Sequence, residues 1–483
     1  MKGKTTSSFL WKLLERTGYV GIQFVVQIIL ARLIEPAQFG VLAVMTSFTN
    51  IIQIFTQSGL NSALIQSNRV EEEDYSAVFS INFIIMSAFY FLAFIFAPVI
   101  EKFYEYSNFV LPFRVLAVTF FVSALSSVQV AILTKKLQFK AIFKCSLIGV
   151  LISGSVGIYM AYHGYEIWAL VVQAVLNQVL NTTLLCFEVK WKPKIFFSVS
   201  RIKKLLGYGG KVLLGSLIGE FYNDFSSFII GKVASAESLA FFKRGKLFPQ
   251  NISSVVTTTT KSVMYPIMSA QQDDDKTILD TFRMTMRIST YIVTPALLGM
   301  LAVARPLIIL LLTDKWEESI VYFQIFCIVY VFYQIHGIYT TALNSKGRSD
   351  LTLIVQIVLV TGTLIACLLA LFVFHSTVYI AWGTVAVNIL IVMPLNAYYC
   401  NKVLGYSIRM QLEDILPSLL ISAAMMGIVL LIGRIDLPYI IMLITQIMCG
   451  AAAYIILSYL SKNEGFFYLY EYLKKTRKKG ANS

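Results

Sequence analysis

Lys243, Arg244 and Lys246 place three positive charges within about one helical turn of an otherwise apolar stretch that continues to Pro249. Cations held in an apolar run can dock an anionic group such as a phosphate or diphosphate, and Arg offers a planar fork of donors for it. The same charges can also serve the fold, with Lys243 and Lys246 snorkelling to a membrane interface while Arg244 makes one structural pair. Glu220 and Asp224 lie four apart, on one face of a helix. There they could bind a coupling cation or a proton, or pair with Lys211 or with a cation of the 238–261 stretch. The remaining ionisable side chains singled out in apolar runs are Glu15, Arg16, Arg114 and Arg305. Each is a candidate for a solvated cavity or for interfacial anchoring, since charge inside a membrane is expensive.

Signals for catalysis are poor. His163, His336 and His375 are scattered and have no partner at metal-ligand spacing. The six cysteines lie in or at the ends of apolar segments, without CxxC or CxxH spacing, and read as small core residues. Asp273 to Asp275 resembles a metal-binding acidic run, but a solvated helix start explains it better, because no nucleotide-binding domain surrounds it. There is no P-loop. The sequence therefore predicts a non-enzyme with no metal and no cofactor, drawing on an ion gradient or on the downhill flow of its cargo.

The elements that position these residues follow from composition. Of 483 residues 57% are apolar and 14% charged, against roughly 25% charged in a soluble domain. At about 20 residues per membrane crossing, that apolar content fills roughly fourteen spans. Apolar runs bounded by charged or turn-forming clusters fall at 10–32, 39–60, 77–100, 109–133, 143–162, 165–187, 207–231, 238–261, 285–312, 317–344, 351–374, 378–400, 412–433 and 438–460. The fold class predicted is an all-α polytopic membrane protein. The basic amino terminus leads into an apolar run, Gly18 to Ala31, that meets Arg32 and Glu35 without a small-residue cleavage site. It reads as a first span and not as a signal peptide.

The net charge of +14 fits this topology better than it fits nucleic-acid binding. With both termini inside, Lys135, Lys136, Lys140, Lys144, the basic stretch Lys190 to Lys204 and the tail Lys474 to Lys479 all fall on the cytoplasmic side. About 28 Lys and Arg lie inside and about 5 outside, a bias that one missed helix would scramble. An offset of about 200 residues sets Arg32 opposite Lys232, and Glu71 to Asp74 opposite Asp273 to Asp275. That spacing suggests a duplicated unit of six spans whose copies are parallel and can rock about a cavity between them. The predicted organisation is a six-helix lobe over 1–187, a basic linker over 188–206, a second six-helix lobe over 207–401, a helix pair over 402–461 and a basic cytoplasmic tail over 462–483.

Several segments carry a family resemblance. Ala31 to Gly40 (Ala-Arg-Leu-Ile-Glu-Pro-Ala-Gln-Phe-Gly) resembles the first-loop signature of the Wzx-type polysaccharide flippases, the colanic-acid-exporter-like branch of the multidrug/oligosaccharidyl-lipid/polysaccharide exporter superfamily. Gly59 to Gln66, Ala240 to Ser269 with Asp273 and Asp274, and Ala342 to Arg348 are similar to further motifs of that family. The resemblance implies alternating access by a multidrug-exporter-like fold in a bacterial cytoplasmic membrane. The implied cargo is a polyprenyl-diphosphate-linked repeat unit for lipopolysaccharide, capsule or exopolysaccharide. It also implies a cavity-lining role for Arg244, a structural or gating role for Arg32 with Pro36 and Gly40 in the same motif, and a polysaccharide polymerase and glycosyltransferases as partners beside membrane lipid. Gly245, where the family usually has Ala, and Lys243, where a small polar residue is common, depart from the pattern. Alternatives are an ion-coupled drug or metabolite exporter of the same fold, which would need Glu220 and Asp224, and a membrane polysaccharide polymerase, which would need a large outer loop that this chain lacks.

Overall fold

The computed structural model describes residues 2–67, 70–271 and 274–480, without the side chains of 1–17, 199, 204, 208, 472, 473 and 475–480. Glu15, Arg16 and Asp273 therefore lie outside the described residues. The described chain is helical, with no strand. In order it forms α1 (Lys2–Leu33), α2 (Pro36–Gln66, interrupted at Ser58), α3 (Glu72–Tyr104), α4 (Val110–Lys135, interrupted at Val118), α5 (Phe139–Tyr162), α6 (Glu166–Glu188), α7 (Val199–Val233) and α8 (Ala236–Ala270). There follow α9 (Asp275–Ala302), α10 (Ala304–Leu312), α11 (Ser319–Ser345), α12 (Ser349–Phe372), α13 (Thr377–Leu404), α14 (Ile408–Ile432), α15 (Tyr439–Leu460) and α16 (Glu464–Gly480).

Local chemistry fixes the helix starts. Pro36 occupies the first turn of α2, where its missing N–H is no loss. Asp274 accepts the backbone N–H groups of Lys276 and Thr277 at the start of α9, and Ser407 accepts that of Met410 at the start of α14. Inside α13, Val387–Val392 forms a π-helical turn just before Pro394. The proline ring would clash with the carbonyl four residues earlier and supplies no N–H, so the helix widens there.

Ten helices among the described residues are long and apolar enough to cross a membrane, or up to eleven counting α9 with α10, which meet at a 73° bend. This is fewer than the fourteen read from the sequence, for a physical reason. α7 and α8 are each 35 residues long but rich in charged and hydroxyl side chains, and of α1 only Gly18–Leu33 is described with its side chains. The crossing helices leave large apolar side chains exposed, among them Phe91, Ile95, Phe372, Leu390, Leu431 and Met448, as lipid-facing surface requires.

Two compact units divide the chain, Met1–Ala240 and Phe241–Ser483. In the first, one apolar core gathers Leu64, Val78, Val128, Leu133 and Leu185, with Trp191 packed against it. The second has a core around Phe282, Met286, Tyr339 and Tyr406 and another around Tyr291, Met425 and Tyr454.

Candidate functional site

In the first unit the acidic run before α3 is a docking point. Arg201, in the first turn of α7, donates from Nη1 to Asp74 at 2.9 Å and from Nη2 to Glu71 at 2.9 Å and Glu73 at 2.6 Å. These carboxylates, Asp74 foremost, raise the Arg201 guanidinium pKa above its ordinary value, so it is permanently charged. The other end of α7 is fastened as well. Lys232 pairs with Glu105 at 2.9 Å and lies over the Phe103 ring, and the Tyr106 hydroxyl donates to the Gly231 carbonyl at 2.7 Å.

Between those ends α7 carries the acidic pair. Asp224 is buried, 4% exposed, with the Asn50 amide at 3.4 Å and the Ser227 hydroxyl at 3.5 Å. Glu220 is half-buried one turn earlier, and Lys211 is exposed. Gly215 and Gly219 have open space where a Cβ would stand, so among the described residues they do not mediate the close helix contact their spacing allows.

The Arg32, Pro36 and Gly40 motif is a tight corner. A Cβ on Gly40 would stand 1.6 Å from the carbonyl oxygen of Ala236, so the start of α2 can approach the start of α8 only through glycine. Ala31 and Phe39 are buried beside an exposed Arg32. Arg114 gives two donors to the Phe94 carbonyl, at 3.1 and 3.0 Å, and stacks 3.8 Å from that residue's ring, so it ties α4 to α3.

In the second unit, Arg244 is 6% exposed, and its guanidinium carbon stands 4.8 Å from the ring centre of Trp316, itself fully buried. Lys243 and Lys246 flank it half-buried. A Cβ on Gly245 would come within 2.6 Å of Tyr322 Cβ and 2.7 Å of the Phe323 amide nitrogen, which accounts for glycine where the family pattern has alanine. Arg305 pairs with Glu317 at 2.8 Å near the surface.

The most elaborate charged cluster was not singled out in the sequence. Asp414, whose side chain is 0% exposed, binds Arg283 at 2.9 Å and Arg287 at 2.5 Å and accepts from the Tyr406 hydroxyl at 3.0 Å. Glu413 and Glu464 complete it. Asp280, Arg283, Arg287, Glu464 and Tyr468 line an adjoining cavity of about 190 Å³. The available signal was Arg287 and Asp414, each a charge just inside an apolar run. A second cleft, of about 340 Å³, opens at the bend of α9 between Pro295, Gly299, Met425, Val429 and Gly450. Its walls are apolar apart from residues such as Gln446, so it suits hydrocarbon and not a charged head group.

The family model described as "Polysaccharide biosynthesis protein" matches residues 29–321. The chain belongs to that family. It is 23% identical to the lipopolysaccharide biosynthesis protein WzxC of Escherichia coli (strain K12) over 73% of this chain and 72% of the relative. Among solved structures it superposes on the lipid II flippase MurJ in an inward closed conformation with TM-score 0.75 and 14% identity, covering 95% of this chain and 98% of that one. It superposes on an inward-facing multidrug resistance MATE family transporter of the MOP superfamily with TM-score 0.62 and 14% identity, covering 79% and 94%. These likenesses identify the all-α fold as the MurJ and MATE fold. The family match spans the signature segments 31–40 and 240–269.

Proposed function

We propose that this protein is a flippase that carries polyprenyl-diphosphate-linked oligosaccharide repeat units from the inner to the outer leaflet of a bacterial cytoplasmic membrane. The observation that carries the reading is agreement between a polysaccharide-biosynthesis family match over most of the chain and a lipid-flippase fold over nearly all of it. No step requires the chain to make or break a covalent bond, so the protein acts as a transporter and not an enzyme. Fourteen crossings with both termini cytoplasmic accommodate α1, α7 and α8 as spans whose polar residues face away from lipid. The two lobes, 1–187 and 207–401, rock in alternating access, with 188–206 as the hinge.

In this reading Lys243 and Lys246 attract the diphosphate, Arg244 holds the base of that site through Trp316, and Lys211 of the first unit is a separate cationic contact for cargo. Glu220 and Asp224 take the coupling cation or proton. Arg114 and Arg305 belong to the interfaces, since their donors are engaged by Phe94 and Glu317. Glycosyltransferases supply the cargo, and a polymerase consumes it on the far side.

The test is deletion of the gene in its host, followed by leaflet assignment of lipid-linked sugars with a membrane-impermeant sugar-modifying reagent. Complete repeat units trapped on the inner leaflet, with surface polysaccharide lost, support the reading. Single units stranded on the outer leaflet, or unchanged lipid pools with altered drug tolerance, overturn it.

A further inference from the structure

Where α11 packs on α13, the imidazole Nδ1 of His336 stands 2.9 Å from the side-chain nitrogen of Asn396. Both residues are sealed from solvent, His336 5% exposed and Asn396 0%. With the amide nitrogen turned to the ring it donates, and Nδ1 accepts as the unprotonated nitrogen. The amide oxygen of Asn396 is buried with no hydrogen-bond partner, and so is that of Asn388, two turns earlier on α13. Orphaned buried carbonyl oxygens are costly and call for a second arrangement that satisfies them.

Protonation supplies one. An imidazolium donates from both nitrogens, and turning the Asn396 amide brings its idle oxygen onto Nδ1–H. The helix is built to move at this place, because the π-helical turn Val387–Val392 and Pro394 lie directly before Asn396. We propose that His336 is a proton-binding site, occupied in a second conformation in which α13 bends at Val387–Val392 and Asn396 presents its oxygen to the ring. Proton occupancy then selects between two shapes of the second unit, as a coupled transporter requires.

The surroundings leave this task to His336. On its own helix it faces Tyr333, with ring centres 6.0 Å apart, and the next turn carries Tyr339, which donates to Gln411 of α14. α13 adds Cys400, α8 sets Thr257 against Gly337, and α9 contributes Phe282 and Met286 to the same core. No charged side chain among the described residues acts on the ring. The sealed shape offers an imidazolium no partner, and the bent one offers the Asn396 oxygen and water.

The test is hydrogen exchange of α13 in the full-length protein in nanodiscs at about pH 7.5 and about pH 5.5, corrected for the chemical exchange rate. Opening of amides 384–396 is expected to rise by up to about tenfold per pH unit, the limit for one linked proton. His336→Gln abolishes that response. Equal opening of the wild type at both pH values, or an unchanged response in H336Q, overturns the proposal. Should H336Q fail to fold, nitrogen-15 histidine spectra of the His163→Gln, His375→Gln protein decide. A ring that titrates over this range supports the site, and one that remains neutral throughout overturns it. Neither readout needs cargo, so failure here leaves the flippase reading standing, and failure of that reading leaves these results standing.

Discussion

Arg201 stands 2.9 Å from Asp74, and that contact fastens the first turn of α7 to the first turn of α3. A counterpart occurs about 210 residues later, where α14 is fastened near its start to α9 by Asp414 and Arg283 at 2.9 Å. The partners are reversed, with the cation on the later helix in the first unit and on the earlier helix in the second. A second correspondence accompanies the first. Lys135, ending α4, donates to the Ser67 carbonyl at 2.6 Å just ahead of α3, and Lys346, after α11, pairs with Asp275 at 2.6 Å in the first turn of α9.

Asp414→Ala removes one carboxylate from between two guanidinium groups. Loss of one partner from a buried pair typically costs about 3–5 kcal/mol. The variant is expected to melt well below the wild type in detergent, while Glu413→Ala, at an exposed partner, shifts the midpoint little. Equal thermal midpoints for the two variants would contradict the cluster's structural role.

Gly40→Ala places a methyl group against the Ala236 backbone, which cannot rotate away as a side chain can. Overpacking of this kind costs about 1–3 kcal/mol or more. We expect reduced membrane-inserted protein and lost surface polysaccharide, with Gly215→Ala, in open space, close to wild type on both measures.

Arg244→Ala deletes a cation stacked on Trp316, a contact of roughly 2 kcal/mol when desolvated. Transport is expected to fall strongly while insertion persists, and Arg244→Lys is expected to recover stability more than transport. Full polymer export by Arg244→Ala would remove this residue from the cargo site.

Asp224→Asn and Glu220→Gln keep the shape of α7 and remove its negative charges. Gradient-driven accumulation of cargo in vesicles is expected to be lost in the double variant, with the thermal midpoint retained. Undiminished accumulation would exclude the pair from coupling.

The Asp274 carboxyl is held below its usual pKa by the Thr277 hydroxyl at 2.5 Å and by the backbone N–H groups of Thr277 and Lys276. A depressed carboxyl stabilises the folded state at neutral pH, and that contribution is lost as pH falls through the acid range below about 4. Melting curves at neutral and acid pH should therefore converge in Asp274→Asn relative to wild type.

The all-helical class and most of the apolar spans were legible in the sequence, because a long apolar run declares itself without reference to its neighbours, whereas the count of fourteen exceeds the ten or eleven apolar crossings among the described residues. The polar helices α7 and α8 were read as spans through loop charge, and neither is apolar enough to be identified as a crossing by its own composition. Arg283 and Arg287 were passed over for a different reason. Arg283 precedes the apolar run and reads as a loop residue, and only folding brings it to Asp414, 131 positions away. Arg114, read from the sequence as either a cavity residue or an interfacial anchor, has the Phe94 carbonyl as a partner that no spacing in the sequence could show. His336 gave no spacing signal, because its partner lies on another helix and is an uncharged amide.

The reversed polarity of the two ties bears on how a chain with two compact units assembles. During insertion α7 and α14 each meet a choice of α3 or α9 as a neighbour, and apolar surface discriminates poorly between them. Exchange of partners would set Arg201 against Arg283 and Asp414 against Asp74, like against like at both places. Opposite wiring of the two ties therefore sets like-charge repulsion against the crossed pairing at both places.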